Sequence, residues 1–382
     1  MNESFKNFKK YIAVNTDRYF SRTQRIVKDN GDKAVTYAFF LRTNSLYAPH
    51  FTLEFLNRAK KELGLKFKLY QQYQEEDIIK AEAPIWFIEG SLVDLCELET
   101  LLLQTIGYPF VAAYNAYLMS KTLKNTAFIS MGARHYPSSN VANMVDYGVS
   151  VGSNKAKAEG AKGFLGSSTA DGSKFFNLSE GLGTMPHSLI GYAGSTLKAA
   201  QLYHMCFKND SLIVLVDFFG KEITDSLAVC KHFKELAQKG ELGIRLDTHG
   251  GRYLQGLNEA KSWQIVNKYV NPKIIKSFNK KEITHLVGKG VSAAAIFAVK
   301  EALQNAGFPL VKIVVSSGFN IEKCKVMAQI KAPIDVVGTG SLLADNPNKT
   351  FATADIVAYN NVPLIKKGRE YLIKAWQLRV NH

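Results

Sequence analysis

The sequence predicts an α/β protein: an irregular parallel βα barrel with a second α+β domain built from the N-terminal segment and the C-terminus. Two observations lead there. From about residue 125, six short apolar runs end in polar, glycine-containing loops and alternate with helical stretches, which is how buried parallel strands read. Before that point helix and strand mix without such a rhythm, and no flexible linker separates the two textures. The expected division is 1–120 plus 346–382 for the α+β domain and 121–345 for the barrel. At 382 residues the chain has ample length for two domains with sizeable cores.

Taken in order, Asn15-Thr16-Asp17-Arg18-Tyr19-Phe20 is a polar, cap-like segment carrying an aromatic. Val35 to Leu41 is β-branched and aromatic, hence a strand. Leu53 to Leu63 has helical spacing that Gly64 ends. Asp94 stands where a carboxylate favours a helix N-terminus. The six barrel strands are expected at Ala127-Phe128-Ile129, Gly163-Phe164-Leu165, Leu212 to Val216, Leu242 to Leu246, Val311 to Val315 and Ile334 to Val337. A seventh is expected to lead into the turn at 181–190. Ile223, Leu227, Cys230, Phe233 and Leu236 recur at helical spacing between strands.

Composition narrows the function classes. No run approaches the roughly 20 apolar residues that a membrane span needs, and the N-terminus lacks the apolar core of a secretory signal. Cys96, Cys206, Cys230 and Cys324 are scattered without a C-x-x-C pair, so a reduced, cytoplasmic protein with no structural metal site is expected. The net charge of +15 raises nucleic acid as a partner. With no long basic run and no nucleic-acid-binding signature, small phosphorylated metabolites are the expected ligands instead.

The chemistry gathers around Gly181-Leu182-Gly183-Thr184-Met185-Pro186-His187-Ser188. Two glycines and a proline shape a turn that presents a hydroxyl and an imidazole. Alone, this reads more simply as a capped helix start with a surface histidine. In a barrel, however, the loops after successive strands meet at one mouth, which brings Arg134, Ser168, His187, Asp217, Arg245 and Asp247 to a common cavity. Two arginines suit a planar anion. Ser317-Gly318 and Gly338-Thr339-Gly340 offer backbone N–H groups for a phosphate after the late strands. Asp217 and Asp247 could order a ribose diol, a Mg²⁺-bearing diphosphate or His187 itself, or Asp217 could simply cap its helix.

Six motifs then stand in one order. They are Thr16-Asp17-Arg18-Tyr19, Met131-Gly132-Ala133-Arg134-His135, Gly183-Thr184-Met185-Pro186-His187, Arg245-Leu246-Asp247-Thr248, Ser316-Ser317-Gly318 and Gly338-Thr339-Gly340. On these the sequence resembles the nicotinate phosphoribosyltransferase family, related to the nicotinamide and quinolinate phosphoribosyltransferases. Met131 stands where an aromatic is frequent in that family.

The resemblance implies joining of nicotinate to phosphoribosyl pyrophosphate, giving nicotinate mononucleotide and pyrophosphate for NAD synthesis, with Mg²⁺ as cofactor and ATP as co-substrate. His187 matches the histidine that ATP phosphorylates, with Arg245, Asp247 and Asp217 as its catalytic companions. Tyr19, Met131, Arg134, Ser168, Thr184, Ser317, Gly318, Gly338, Thr339 and Gly340 match substrate-binding positions. A homodimer is implied, with Tyr19 reaching across to stack on the pyridine ring. Position 168 matches the place where nicotinamide enzymes carry an aspartate, so Ser168 favours nicotinate. The alternatives are the nicotinamide enzyme and a non-catalytic phosphosugar- or nucleic-acid-binding barrel.

Overall fold

A computed structural model describes residues 7–341, 343–344 and 349–379. The domain boundary expected at 345/346 lies outside the described residues. The strands run in chain order as β1 (Ala34–Leu41), β2 (Ser45–Leu46), β3 (Phe67–Gln71), β4 (Ile78–Ile79) and β5 (Pro84–Ser91). The next six are β6 (Ala127–Ser130), β7 (Phe164–Ser167), β8 (Leu212–Leu215), β9 (Leu242–Leu246), β10 (Lys312–Val315) and β11 (Val336–Thr339). The chain then returns through β12 (Ala352–Tyr359) and β13 (Val362–Pro363). Two compact units result: Met1–Asn115 with Ser138–Asn154 and Ala344–His382, and Ala116–Pro137 with Lys155–Leu343.

In the first unit a sheet of order β13-β12-β1-β5-β3 is antiparallel throughout. β1 lies between β12 and β5 and is buried from Val35 to Leu41, which is why its sequence carries no polar alternation. One aromatic cluster joins Tyr47, Trp86 and Phe110, where Trp86 Nε1 donates to the Tyr47 hydroxyl at 2.7 Å and that hydroxyl donates to Gln71 Oε1 at 2.6 Å. Its polar atoms are thereby satisfied inside an apolar core. Residues 138–154 belong here because Tyr147 is buried among this unit's residues: its hydroxyl bonds Glu75 and accepts from the His50 N–H.

Local structure follows the sequence cues. The helix His50–Leu63 stops at Gly64 in the left-handed conformation. Thr16 and Asp17 separate the helices Phe8–Asn15 and Arg18–Asn30, and the Asp17 carboxylate accepts from Tyr19 and Thr100 hydroxyls rather than capping. The amphipathic stretch from Ile223 is two helices, Glu222–His232 and Lys234–Lys239, because Phe233 leaves helical backbone geometry.

The second unit holds the six expected strands in one parallel sheet of order β7-β6-β11-β10-β9-β8. Helices connect successive strands, the βα alternation that the apolar runs signalled. The seventh strand does not form. Residues 181–186 are irregular, and the Leu182 N–H to Ser167 carbonyl bond at 2.7 Å ties them beside β7. Gly181 and Gly183 have no side chain to pack and Pro186 has no N–H to donate, which disfavours a ladder here. Among the described residues no ladder joins β7 to β8, so these two are the ends of the sheet.

The first unit also carries a titratable group out of its ordinary range. Burial pushes the Glu99 carboxyl up to about 7; a hydrogen bond from the Tyr37 hydroxyl opposes this, and the carboxylates of Asp355 and Asp17 add to it. A carboxyl with a raised folded-state pKa stabilises the fold at low pH, and that stability is lost as pH rises from the usual carboxyl range through about 7. Glu99→Gln therefore leaves stability at pH 4.5 nearly unchanged and raises it at pH 8 by roughly 1–3 kcal/mol, read from paired denaturant titrations.

Candidate active site

The polar residues at the C-terminal ends of β8, β9 and β10 form two linked groups. In the first, His187 opens the short helix His187–Ala193 after Pro186, and its Nε2 lies 3.0 and 3.2 Å from the two carboxylate oxygens of Asp217. A carboxylate only accepts, so Nε2 is the ring nitrogen that donates to Asp217, and Nδ1 is left facing away from it. Asp217 follows β8 and is 8 % exposed, whereas the imidazole is 45 % exposed and open to a ligand. Phe218 packs 6.3 Å from the imidazole, ring centre to ring centre.

In the second group Arg245, near the end of β9, distributes its guanidinium three ways. Nε donates to Ser316 Oγ at 3.1 Å, Nη1 to Thr184 Oγ1 at 2.6 Å and Nη2 to Asp247 Oδ2 at 3.2 Å. Ser316 Oγ in turn donates to Asp247 Oδ1 at 2.8 Å. Two strands and the 181–187 segment are thus joined through one side chain. Thr184 and His187, three residues apart, connect this group to the first.

Behind Asp217 lies a buried support. Glu222 is fully buried; Arg252 Nη2 pairs with its Oε1 at 2.6 Å and donates to the Asp217 carbonyl at 2.8 Å. The Thr248 hydroxyl and the Gln255 N–H complete the Glu222 carboxylate, at 2.9 and 3.0 Å. Sequence reading missed Glu222 and Arg252 as site residues, although Arg252 lies only four residues beyond the Arg245-Leu246-Asp247-Thr248 motif. Ser316 also outranks its neighbour Ser317 here, because it is the first residue after β10 and faces Asp247.

The remaining expected residues are placed as follows. Arg134 lies exposed in the turn after β6, its Nε 3.5 Å from His135 Nε2, with no bond to the Arg245 group. Ser168 is exposed after β7, its N–H bonded to the Ser130 carbonyl at 2.8 Å. Ser317 and Gly318 form an exposed turn after β10. Gly338, Thr339 and Gly340 are buried at the end of β11. A Cβ at Gly340 would meet the Met131 carbonyl oxygen and the Gly132 Cα at 2.6 Å, so this glycine permits close packing of the β6 and β11 ends. Met131 packs against Gly338 in the same place. Tyr19 belongs to the first unit, where it is 60 % exposed. Among the described residues no cluster of three or more His, Cys, Asp or Glu is arranged to hold a metal ion, and no helix is long and apolar enough to cross a membrane.

Comparison with solved structures adds to this geometry. The chain superposes on nicotinate-nucleotide pyrophosphorylase from Pyrococcus furiosus with a TM-score of 0.70 at 22 % identity, over 96 % of this chain and 80 % of that one. The human nicotinic acid phosphoribosyltransferase matches with a TM-score of 0.56 at 17 % identity, over 92 % and 76 %. NadC from Streptococcus pyogenes matches with a TM-score of 0.53 at 16 % identity, over 94 % and 95 %. The chain shares the fold of these structures. No family model and no curated protein matches it by sequence. Within this fold the His187–Asp217 and Arg245–Asp247 groups occupy the ends of adjacent parallel strands, where such sheets bind ligands.

The Glu222–Arg252 pair can be tested apart from activity. Arg252→Leu leaves a fully buried carboxylate without its cation and removes the donor on the Asp217 carbonyl. Urea unfolding is expected to show a loss of about 2–4 kcal/mol, toward the low side because Arg252 is partly exposed.

Proposed function

We propose that the chain is a nicotinate phosphoribosyltransferase in NAD biosynthesis, joining nicotinate and phosphoribosyl pyrophosphate and coupling this to ATP hydrolysis through a phosphohistidine at His187. The observation that carries the reading is the His187–Asp217 pair tied through Thr184 to Arg245, Asp247 and Ser316. The names of the Pyrococcus and human structural neighbours point to the same class of substrate.

The residues suit this reaction. The pyridine nitrogen is itself a nucleophile, so no strong base is required. It forms the bond to C1 of the ribose as the bond from C1 to the pyrophosphate oxygen breaks, and the leaving group takes that electron pair. The protein's tasks are to orient the ring and to stabilise the charges that develop. Arg134, which forms no ion pair with the described residues, is available to the nicotinate carboxylate. Mg²⁺ usually binds through one or two carboxylates together with substrate phosphates. Asp217 and Asp247 fit that use as oxygen ligands, and the ion would neutralise the departing pyrophosphate. At His187 the Nδ1 lone pair attacks the terminal phosphorus of ATP as the bond from that phosphorus to the bridging oxygen breaks, ADP leaving with the electron pair, while Asp217 holds the Nε2 proton and stabilises the imidazolium.

Pyrophosphate release measured in parallel with nicotinate, nicotinamide and quinolinate tests the assignment. Nicotinate is expected to exceed the others in kcat/KM by about a hundredfold or more. His187→Ala is expected to abolish ATP hydrolysis while leaving some ATP-independent synthesis; ATP turnover that survives would remove His187 from this role.

Specificity rests on Ser168. A hydroxyl after β7 can donate to a carboxylate, whereas an aspartate there would repel it by roughly 4 kcal/mol for unit charges about 4 Å apart at an effective dielectric of 20. Ser168→Asp is expected to lower nicotinate kcat/KM about a hundredfold or more. Unchanged nicotinate kinetics in that variant would place the ring elsewhere.

A further inference from the structure

Beneath the loop that follows β10 lies a lysine that the chemistry above does not use. Lys323, on the helix Ile321–Gln329, is only 6 % exposed. Its ammonium donates to the Ser317 carbonyl oxygen at 3.0 Å and lies 4.2 Å from the centre of the Phe319 ring. No carboxylate pairs with it among the described residues. A buried ammonium with no counter-charge is costly, and burial pushes its pKa down to about 8.

The loop it supports is itself strained. Ser317 has a φ of 72°, followed by Gly318 at 70°, so a residue with a Cβ sits in the left-handed region. Such a conformation persists only where its surroundings hold it. Lys323 grips the Ser317 carbonyl, and the Thr339 hydroxyl grips the Phe319 carbonyl at 2.9 Å. The turn between these anchors is exposed, and the lysine lies beneath it.

We infer that Lys323 is a positioning residue for a phosphate subsite: its ammonium fixes the Ser317–Gly318 turn, and the counter-charge it lacks arrives with the phosphate of the bound substrate. This rests on the proposed phosphoribosyl transfer and on reading that turn as the phosphate loop its sequence suggests. Lys323 acts through the backbone of the turn and the field beneath it. Its titratable neighbours His285 and Cys324 are shifted away from the range in which it titrates. Burial, then Lys323 itself, holds His285 on the helix Lys280–Val287 below the ordinary histidine range, so it is neutral above pH 7. Cys324 is pushed up to about 12 and stays a thiol. Glu322 is bonded to Lys281, and Glu282 is engaged in capping its own helix at Asn279. Phosphate binding should therefore raise the pKa of Lys323 and draw in a proton at pH 8.5.

The test uses the whole protein as wild type, Lys323→Met and Lys323→Gln. Steady-state kinetics at pH 7 are expected to show KM for phosphoribosyl pyrophosphate raised about tenfold or more in both variants, with KM for nicotinate within about twofold of wild type. Calorimetry with ribose 5-phosphate at pH 8.5, in buffers of different ionisation enthalpy, is expected to show proton uptake in wild type and none in either variant. Methionine keeps the length of the side chain without its charge, and should Lys323→Met not fold, glutamine carries the test. Full rescue by glutamine would reduce the role to a hydrogen bond and overturn the part played by charge. Equal shifts in both KM values, or none, would overturn the inference outright. Weakened ribose 5-phosphate binding in variants of a protein that turns over no pyridine would uphold Lys323 and refute the pyridine reading. Normal turnover in both variants would do the reverse.

Discussion

The guanidinium of Arg245 is the point on which the site depends. One planar group with donors in fixed directions meets a threonine, a serine and a carboxylate, and so sets the spacing of two strand ends and of the 181–187 segment at once. Lysine could not replace it, since its point charge lacks the fork that reaches three partners in different directions. The arrangement also explains why residues 181–186 need no ladder of their own. Thr184 is fixed by Arg245 and His187 by Asp217, so two side-chain bonds and the Leu182 backbone bond do the work that strand pairing does elsewhere in the sheet.

A second layer stands behind the first. Asp217 faces His187 with its side chain and Arg252 with its carbonyl, and Arg252 is in turn neutralised by Glu222. The histidine therefore meets a carboxylate whose backbone is anchored as well as its side chain. Preorganisation of this kind is what a histidine must have if it is to present one nitrogen to a ligand while its other nitrogen stays protonated.

Much of this was legible in the sequence, for definite physical reasons. The six parallel strands read as apolar runs because most of their residues are covered on both faces of the sheet, with exposed Leu165 in β7 an exception, and their polar ends pointed to the strand-end loops where His187, Asp217, Arg245 and Asp247 meet. What could not be read depends on tertiary contact. Glu222 looks like an ordinary first-turn acid of an amphipathic helix until Arg252, thirty residues on, is folded against it. Lys323 looks like one surface lysine among many until Phe319 and the Ser317 carbonyl close over it. Gly340 reads as a ligand-facing glycine, yet the backbone of Gly132 lies against it. The seventh strand fails for a local reason that its own residues carried, since Gly181, Gly183 and Pro186 disfavour a ladder.

The order of strands also bears on how the chain reaches this state as it is synthesised. β8, β9 and β10 are neighbours in sequence and in the sheet, so they can pair as soon as they emerge. β6 and β7 are likewise a local pair. The two sets are joined only by β11, whose residues Val336 to Thr339 pair with Ala127 to Ser130 on one side and whose Val336 and Val337 pair with β10 on the other. In the first unit β1 waits in the same way for β12. Two partial sheets with open edges must therefore persist until the last quarter of the chain is made, and closing them requires contacts of very long sequence separation. Slow closure of the sheet is built into the topology that brings the strand ends together.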